Sequence, residues 1–238
     1  DISLSNLDDE WGGAKQTGSS GKEDTGLKII NDSLGNGYII GNTYGNFDGL
    51  SNPNTGIPDF FILKYSLNGS MLWKKQFGIP GAQEEVSGID IDSNNNIYVS
   101  GYAMLGLNGV SANIFDLFVF KMDSSGEIQW TQLLGGGGTQ AEKANDIAVD
   151  PSGNVFATGY TTGNLDGNTN LGNTTYQNDI FLIKYNTDGV KQWTKQFGTN
   201  KNDFGYTLDL DSSGNIYVGA IVGDSYDGNT STGRPDTV

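Results

Sequence analysis

Residues 150–160 read Asp-Pro-Ser-Gly-Asn-Val-Phe-Ala-Thr-Gly-Tyr, and this stretch decides the fold. An Asp that can bond its own downstream backbone, followed by Pro, Ser, Gly and Asn, makes a tight turn. Val155 to Tyr160 then reads as a short strand. The turn returns at Asp211-Ser212-Ser213-Gly214-Asn215, and the strand at Asn96-Ile97-Tyr98-Val99-Ser100-Gly101-Tyr102. Before each turn lies another strand: Val86 to Asp92, Ala144 to Asp150 and Gly205 to Asp211. After a long polar loop comes a near-continuous apolar run: Phe60 to Leu63, Leu117 to Phe120 and Ile180 to Ile183. A second short turn (Leu67-Asn68-Gly69, Ser124-Ser125-Gly126, Thr187-Asp188-Gly189) leads into a strand carrying a tryptophan.

These four strands recur. Trp11, Trp73, Trp130 and Trp193, the chain's four tryptophans, are 62, 57 and 63 residues apart. Asp59, Asp116, Asp179 and Asp236 are spaced by 57, 63 and 57, and Gly41, Gly101, Gly159 and Gly219 by 60, 58 and 60. Three independent markers with one period identify a repeat architecture. A strand apolar at every position is covered on both faces, whereas the fourth strand alternates and puts Lys74 and Gln76 on an edge that must resist pairing. The pattern predicts an all-β fold, a β-propeller of four-stranded antiparallel blades with a repeat of about 60 residues and about four blades in the chain. Helices should be scarce, since no segment keeps a 3.6-residue period. The expected divisions are a partial blade at 1–18, blades at 19–78, 79–135 and 136–198, and a partial blade at 199–238.

The recurring order is Asp-x-x-Gly-Asn-aliphatic-aromatic-Val-x-Gly-Tyr, a loop with Gly-Asn-Leu-Asp-Gly, Asp-x-Phe-x-x-Lys-Tyr, and Gly-x-x-x-Trp-x-x-Gln-Phe-Gly. It resembles the SBBP type of bacterial β-propeller repeat, and its best copy runs from Asp146 to Gly198. The resemblance implies a secreted or surface-exposed bacterial protein, and the family brings no catalytic residues to carry over. The copy at Met104 to Val110 departs from the pattern, with Asn108-Gly109 where others have Asp48-Gly49 and Asp166-Gly167. Asp123-Ser124-Ser125-Gly126 followed by Trp130 is also similar to the tryptophan-docking repeat of quinoprotein-type propellers. Those enzymes use pyrroloquinoline quinone and calcium, but nothing in this chain matches their cofactor-binding residues.

Composition narrows the function. The 238 residues include 13 basic and 28 acidic side chains, a net charge of -15 that repels nucleic acid and anionic membranes alike. Cysteine and histidine are both absent, which removes disulfides, thiolate chemistry and the usual base near neutral pH. No apolar stretch is long enough to span a membrane, and Asp1 onward does not read as a signal peptide. The final blade stops just after Asp236, while Ile2 to Trp11 reads as a shortened third strand and a fourth. Two readings stay open: a piece of a longer propeller, or a terminal strand that completes the last blade, in the same molecule or a neighbour.

Recognition is expected on the end of the blades where the long loops gather: Tyr44 to Pro58, Ala103 to Phe115, Thr161 to Asn178 and Val222 to Pro235. Variable loops on a rigid scaffold are where binding concentrates. The candidate binding residues are Tyr44, Asp48, Asn108, Asp166, Tyr176 and Asp227, facing a protein or glycan ligand. Replacing Thr161 to Asn178 by a short Gly-Ser turn should then abolish capture and leave the melting temperature nearly unchanged. Calcium is weighed at Asp90, Asp92, Asp209 and Asp211, but the pattern stops at two carboxylates, short of a calcium loop. No metal or other cofactor is expected. Lys64, Lys121 and Lys184 read as exposed charges or partners of turn aspartates, and the tryptophans as blade packing. Glu84, Glu85 and Glu142, in the loops between blades, are the acids to inspect for a glycosidase pair. The expectation is a non-enzymatic extracytoplasmic module for binding, adhesion or scaffolding. Assembly by strand completion is one alternative, and a carbohydrate-active or quinoprotein-like enzyme the other.

Overall fold

The computed structural model describes residues 16–51, 56–111, 115–137, 140–172, 177–226 and 236–237. Two compact units divide the chain, Asp1–Glu85 and Val86–Val238. In the first, β1 (Asp24–Asn31), β2 (Gly37–Thr43), β3 (Asp59–Tyr65) and β4 (Met71–Phe77) form one antiparallel sheet in chain order. Next come β5 (Glu84–Ile91), β6 (Ile97–Ala103), the short hairpin β7 (Gly106–Leu107) and β8 (Val110–Ser111), β9 (Asp116–Met122) and β10 (Ile128–Leu134). Of these, β5, β6, β9 and β10 make a second sheet of the same order. The third is β11 (Glu142–Val149), β12 (Val155–Thr161), β13 (Asp179–Tyr185) and β14 (Lys191–Phe197). A last sheet joins β15 (Phe204–Leu210), β16 (Ile216–Val222) and β17 (Asp236–Thr237). The all-β expectation is met, as is the order of four strands per blade.

The third strands earn their apolar runs: β9 is buried at every position and β13 at all but one. In the second unit, one cluster gathers Tyr98, Leu117 and Val119 from the second sheet with Ile147, Val155 and Phe181 from the third. Trp130 leans on that cluster and its indole N–H donates to the Thr187 carbonyl at 3.1 Å, so this tryptophan is a packing residue. Two of the three repeated lysines are not exposed charges. Lys64 and Lys121 are buried, their ammonium groups 4.9 and 5.3 Å from the Tyr38 and Tyr98 rings. Lys64 also lies 3.9 Å from the carboxylate of the turn residue Asp32, as the turn-partner reading requires.

Each described first-strand ladder shifts register at the same place, between Gly26 and Lys28, Ala144 and Asp146, and Gly205 and Thr207. A bulge re-aims one side chain. In the third sheet that residue is Asn145, whose amide donates to the Gly205 carbonyl of the next sheet at 2.7 Å. The repeated glycine of the second strand sits opposite. A Cβ on Gly159 would lie 1.9 Å from the Lys143 carbonyl oxygen, so only glycine lets the bulged backbone approach.

The turn end of the sheets is closed by Asp side chains. At Asp92, Oδ1 accepts the Asn94 and Asn96 N–H groups at 2.9 Å, and Oδ2 accepts the Asn96 amide at 2.8 Å and the Tyr98 hydroxyl at 3.0 Å. The Asp-x-x-x-Asn-x-Tyr spacing is therefore a self-contained cap. Asp211 repeats it through Asn215 and Tyr217.

Candidate functional site: the loop end of the blades

Opposite those turns, each second strand opens into a long loop. In the first unit the loop begins with a single 3-10 turn, Phe47–Gly49, with positive φ at Asp48 (46°) and Gly49 (83°). Asp and Gly are the residues that accept two successive left-handed positions, which explains the Asp-Gly pair. Phe47 is buried and stacks on Phe61 with ring centres 3.9 Å apart. Gln76 of β4 braces the loop: its Oε1 accepts the Phe47 N–H at 3.0 Å, and its amide donates to Gly45 O and Asp59 Oδ2, each at 3.0 Å.

The third sheet repeats the brace. Gln196 Oε1 accepts the Leu165 N–H at 2.9 Å, while its amide reaches Gly163 O at 2.9 Å and Asp179 Oδ2 at 3.1 Å. The second sheet replaces it. Ala103 and Leu133 stand where the other sheets have Thr and Gln, and the loop closes as the β7–β8 hairpin around Asn108-Gly109. Leu105, just before that hairpin, has φ 69° with 54% of its surface exposed. A bulky residue in that region is strained.

The candidate binding residues fall into three groups. Asp48, Asn108 and Asp166 are all left-handed loop residues tied back to the fourth strand of their own sheet. Asp48 pairs with Lys74 at 2.6 Å, Asn108 donates to Thr131 Oγ1 at 3.1 Å, and Asp166 pairs with Lys191. Asp48 also borders a depression of about 350 Å³ with Gln16, Thr17, Tyr65, Gly69 and Met71. Tyr44 stands apart, 36% exposed and tethered through its N–H to Glu23 O at 3.0 Å. Tyr176 and Asp227 lie outside the described residues. Among the described residues of the long loops of the second unit, the exposed large apolar side chains are Leu105, Val110 and Leu171, none of which the polar composition of the loops had suggested.

The acids hide a second surprise. Glu84 and Glu142 are not loop residues; they open β5 and β11, and both are fully buried. Asp203, just before β15, holds the equivalent place, also without exposed surface. Each follows a third strand that begins with a buried Asp: Asp59, Asp116 or Asp179. The glycine that ends each fourth strand makes room for them. A Cβ on Gly198 would lie 2.7 Å from Asp203 Oδ2 and 3.0 Å from Asp179 Oδ1. The recurrence of an acid at 84, 142 and 203 was the available signal. Among the described residues no group of three or more such side chains could hold a metal ion, and no helix is long and apolar enough to cross a membrane.

Residues 72–103, 129–166 and 192–220 each match the family model SBBP, a beta-propeller repeat. The chain carries three SBBP-type β-propeller repeats. The SBBP match runs each time from a fourth strand through the next first strand to the second, so the family pattern is centred on the junction between sheets. Among curated proteins, the chain is 28% identical over 186 residues to the uncharacterized WD repeat-containing protein L264 of Acanthamoeba polyphaga mimivirus, covering 66% of this chain and 13% of that protein. It is 27% identical over 195 residues to the regulatory protein FlaEY of Caulobacter vibrioides, covering 74% and 20%. The chain thus spans a fifth or less of either relative. A solved ulvan lyase of a new polysaccharide lyase family, bound to a GlcA(1-4)Rha3S unit, aligns with TM-score 0.48 and 13% identity over 88% of this chain and 53% of that one. A likeness at that level says nothing of this protein's chemistry.

Proposed function

We propose that this SBBP repeat protein is an extracytoplasmic binding module whose loop end captures a protein or glycan, and that it works without catalysis or cofactor. One observation carries the reading: in the second unit, exposed apolar side chains stand on loops held in place from below, one closed by its own hairpin and the other braced by Gln196. Leu105 and Leu171 expose 54% and 52% of their surfaces, while the loop root Leu165 is fully buried. A rigid frame presenting apolar groups loses little conformational entropy on binding. The net charge of -15 disfavours anionic ligands, which points to neutral glycans or basic protein surfaces. The non-enzymatic reading is supported by the acids: the buried carboxyls recur once per blade and have no exposed surface at Glu84 or Glu142 for a substrate to reach.

Burial of Leu165 also changes the test. Removing the whole loop would cost about 2–5 kcal/mol of core, so loss of capture would be uninformative. Two point substitutions are cleaner. Leu105→Gly relieves the left-handed strain while deleting the side chain, and Leu171→Ser removes an exposed group. The labelled protein and this double variant are to be compared on an array of neutral glycans and on whole bacterial cells. Binding that falls at least tenfold with the melting temperature unchanged or raised supports the loop end. Equal binding by both proteins, or no binding by the parent to either target, overturns it.

A further inference from the structure

Three pairs of carboxyl groups are shut away from water at the loop end. The buried carboxyl of Asp59 acts on that of Glu84 in the first unit, and Asp116 on Glu142 and Asp203 on Asp179 in the second. Oxygens of Asp179 and Asp203 converge on the same place, 3.0 and 2.7 Å from where a Cβ on Gly198 would lie. Five of these six have no exposed surface and Asp116 has 5%. Glu84 Oε1, Glu142 Oε2 and Asp179 Oδ1 have no hydrogen-bond partner. Two ionised carboxylates in a dry pocket repel one another, and an unpartnered buried oxygen adds its own cost. One shared proton removes both penalties, turning an orphan acceptor into a donor.

The same carboxyls hold the loops. Glu142 Oε1 accepts the Thr161 hydroxyl at 2.8 Å, and Thr161 Oγ1 accepts the Gly163 N–H at 3.0 Å. Asp179 Oδ2 accepts the Leu171 N–H at 2.8 Å and the amide of Gln196, the residue that braces Leu165. In the first unit Glu84 Oε2 accepts the Ile79 N–H at 3.4 Å. We propose that the buried carboxyl pairs are proton-operated latches, ordering the loop end while each pair holds a proton and releasing it when both members ionise. The latch regulates the surface assigned above to recognition and rests on that reading for its biological meaning.

Burial, with the Asp59 carboxylate adding to it, pushes Glu84 up to about 8. Glu142 and Asp179 are raised for the same reasons, burial first and then Asp116 or Asp203. Bonds from Thr161 and Gly136 to Glu142, and from Leu171 and Gln196 to Asp179, pull the other way without prevailing. The neighbouring cation Lys143 lies 3.8 Å over the Tyr102 ring, and Lys191 is taken by Asp166. A carboxyl raised in the folded state stabilises it fully below the ordinary value, 4.5 for Glu84, and that stabilisation is lost as pH rises through about 8.

Amide hydrogen exchange tests this without any ligand. Rates corrected for intrinsic exchange are to be followed from pH 5 to pH 9 in the parent and in Glu142→Gln and Asp179→Asn, isosteres of the protonated acids. Protection of Gly163, Leu165 and Leu171 should fall about tenfold or more in the parent, with the turn-end amides of Gly153 and Gly189 unchanged. The fall should flatten in each variant. Equal loss at both ends, no loss, or a fall that persists in both variants would overturn the latch. So would its suppression by 1 mM calcium chloride, which would mean that a cation occupies the pair. Should a variant fail to fold, a carboxyl carbon resonance titrating above the ordinary carboxylate range in the parent supports the proposal, and titration of every carboxyl within or below that range refutes it. Failure here leaves loop-end capture standing, and failure of capture leaves the latch standing.

Discussion

At the scale of single residues, the carboxyl groups of this protein divide into two kinds with opposite effects. Those of the turn end are donor-rich. Burial alone would raise Asp92, but the Asn96 side chain and backbone, the Tyr98 hydroxyl and the Asn94 N–H outweigh it and hold it below its ordinary 3.8. Its contribution is present above that value and lost as pH falls through the lowered folded one. Asp92→Ala would strip four bonds and leave the Tyr98 hydroxyl, on a fully buried ring, without its acceptor. A loss of roughly 2–4 kcal/mol is expected by urea denaturation. A loss below about 0.5 kcal/mol would mean that the turn stands without its cap. The turn aspartates were readable because Asp, Gly and Asn act on their own backbone within five residues. The carboxyl latches were not, because Asp116 and Glu142 meet only after the chain has travelled 26 residues.

At the scale of the strand, the second sheet is a natural variant of the other two. Its Leu133 sits where Gln76 and Gln196 brace their loops, and its loop folds instead as a hairpin closed on itself. The brace is therefore needed where the loop has no ladder of its own. Gln196→Leu should free the N–H of Leu165 and leave one oxygen of Asp179 a bond short, costing about 1–3 kcal/mol. Exchange at Leu165 should quicken while exchange in β12 stays slow; uniform quickening would show that the brace belongs to the global core. Strand order and the buried third strands were legible, since a period of two and an uninterrupted apolar run are local signals. The bulges were not. The repeated glycine marked their place in the sequence, but its reason is a carbonyl on the facing strand.

At the scale of the molecule, 28 acidic groups against 13 basic ones make self-repulsion a standing tax on the folded state. Raising sodium chloride from 10 mM to 0.5 M should screen it and lift the melting temperature by a few degrees in calorimetry. A fall would mean that pairs such as Lys74–Asp48 outweigh the net field. The bulge of β11 has a wider meaning at this scale. Asn145 carries a hook that fits a carbonyl of the following sheet, and Ser87 one sheet earlier hooks Ala144 in the same way. The second and third sheets thus each bring a fastener for the sheet that follows. An evolving gene could gain or lose whole periods of about 60 residues and leave no fastener empty between surviving neighbours, whereas a gain of half a period would break two. Array length is in this sense a quantity the lineage can count in whole steps.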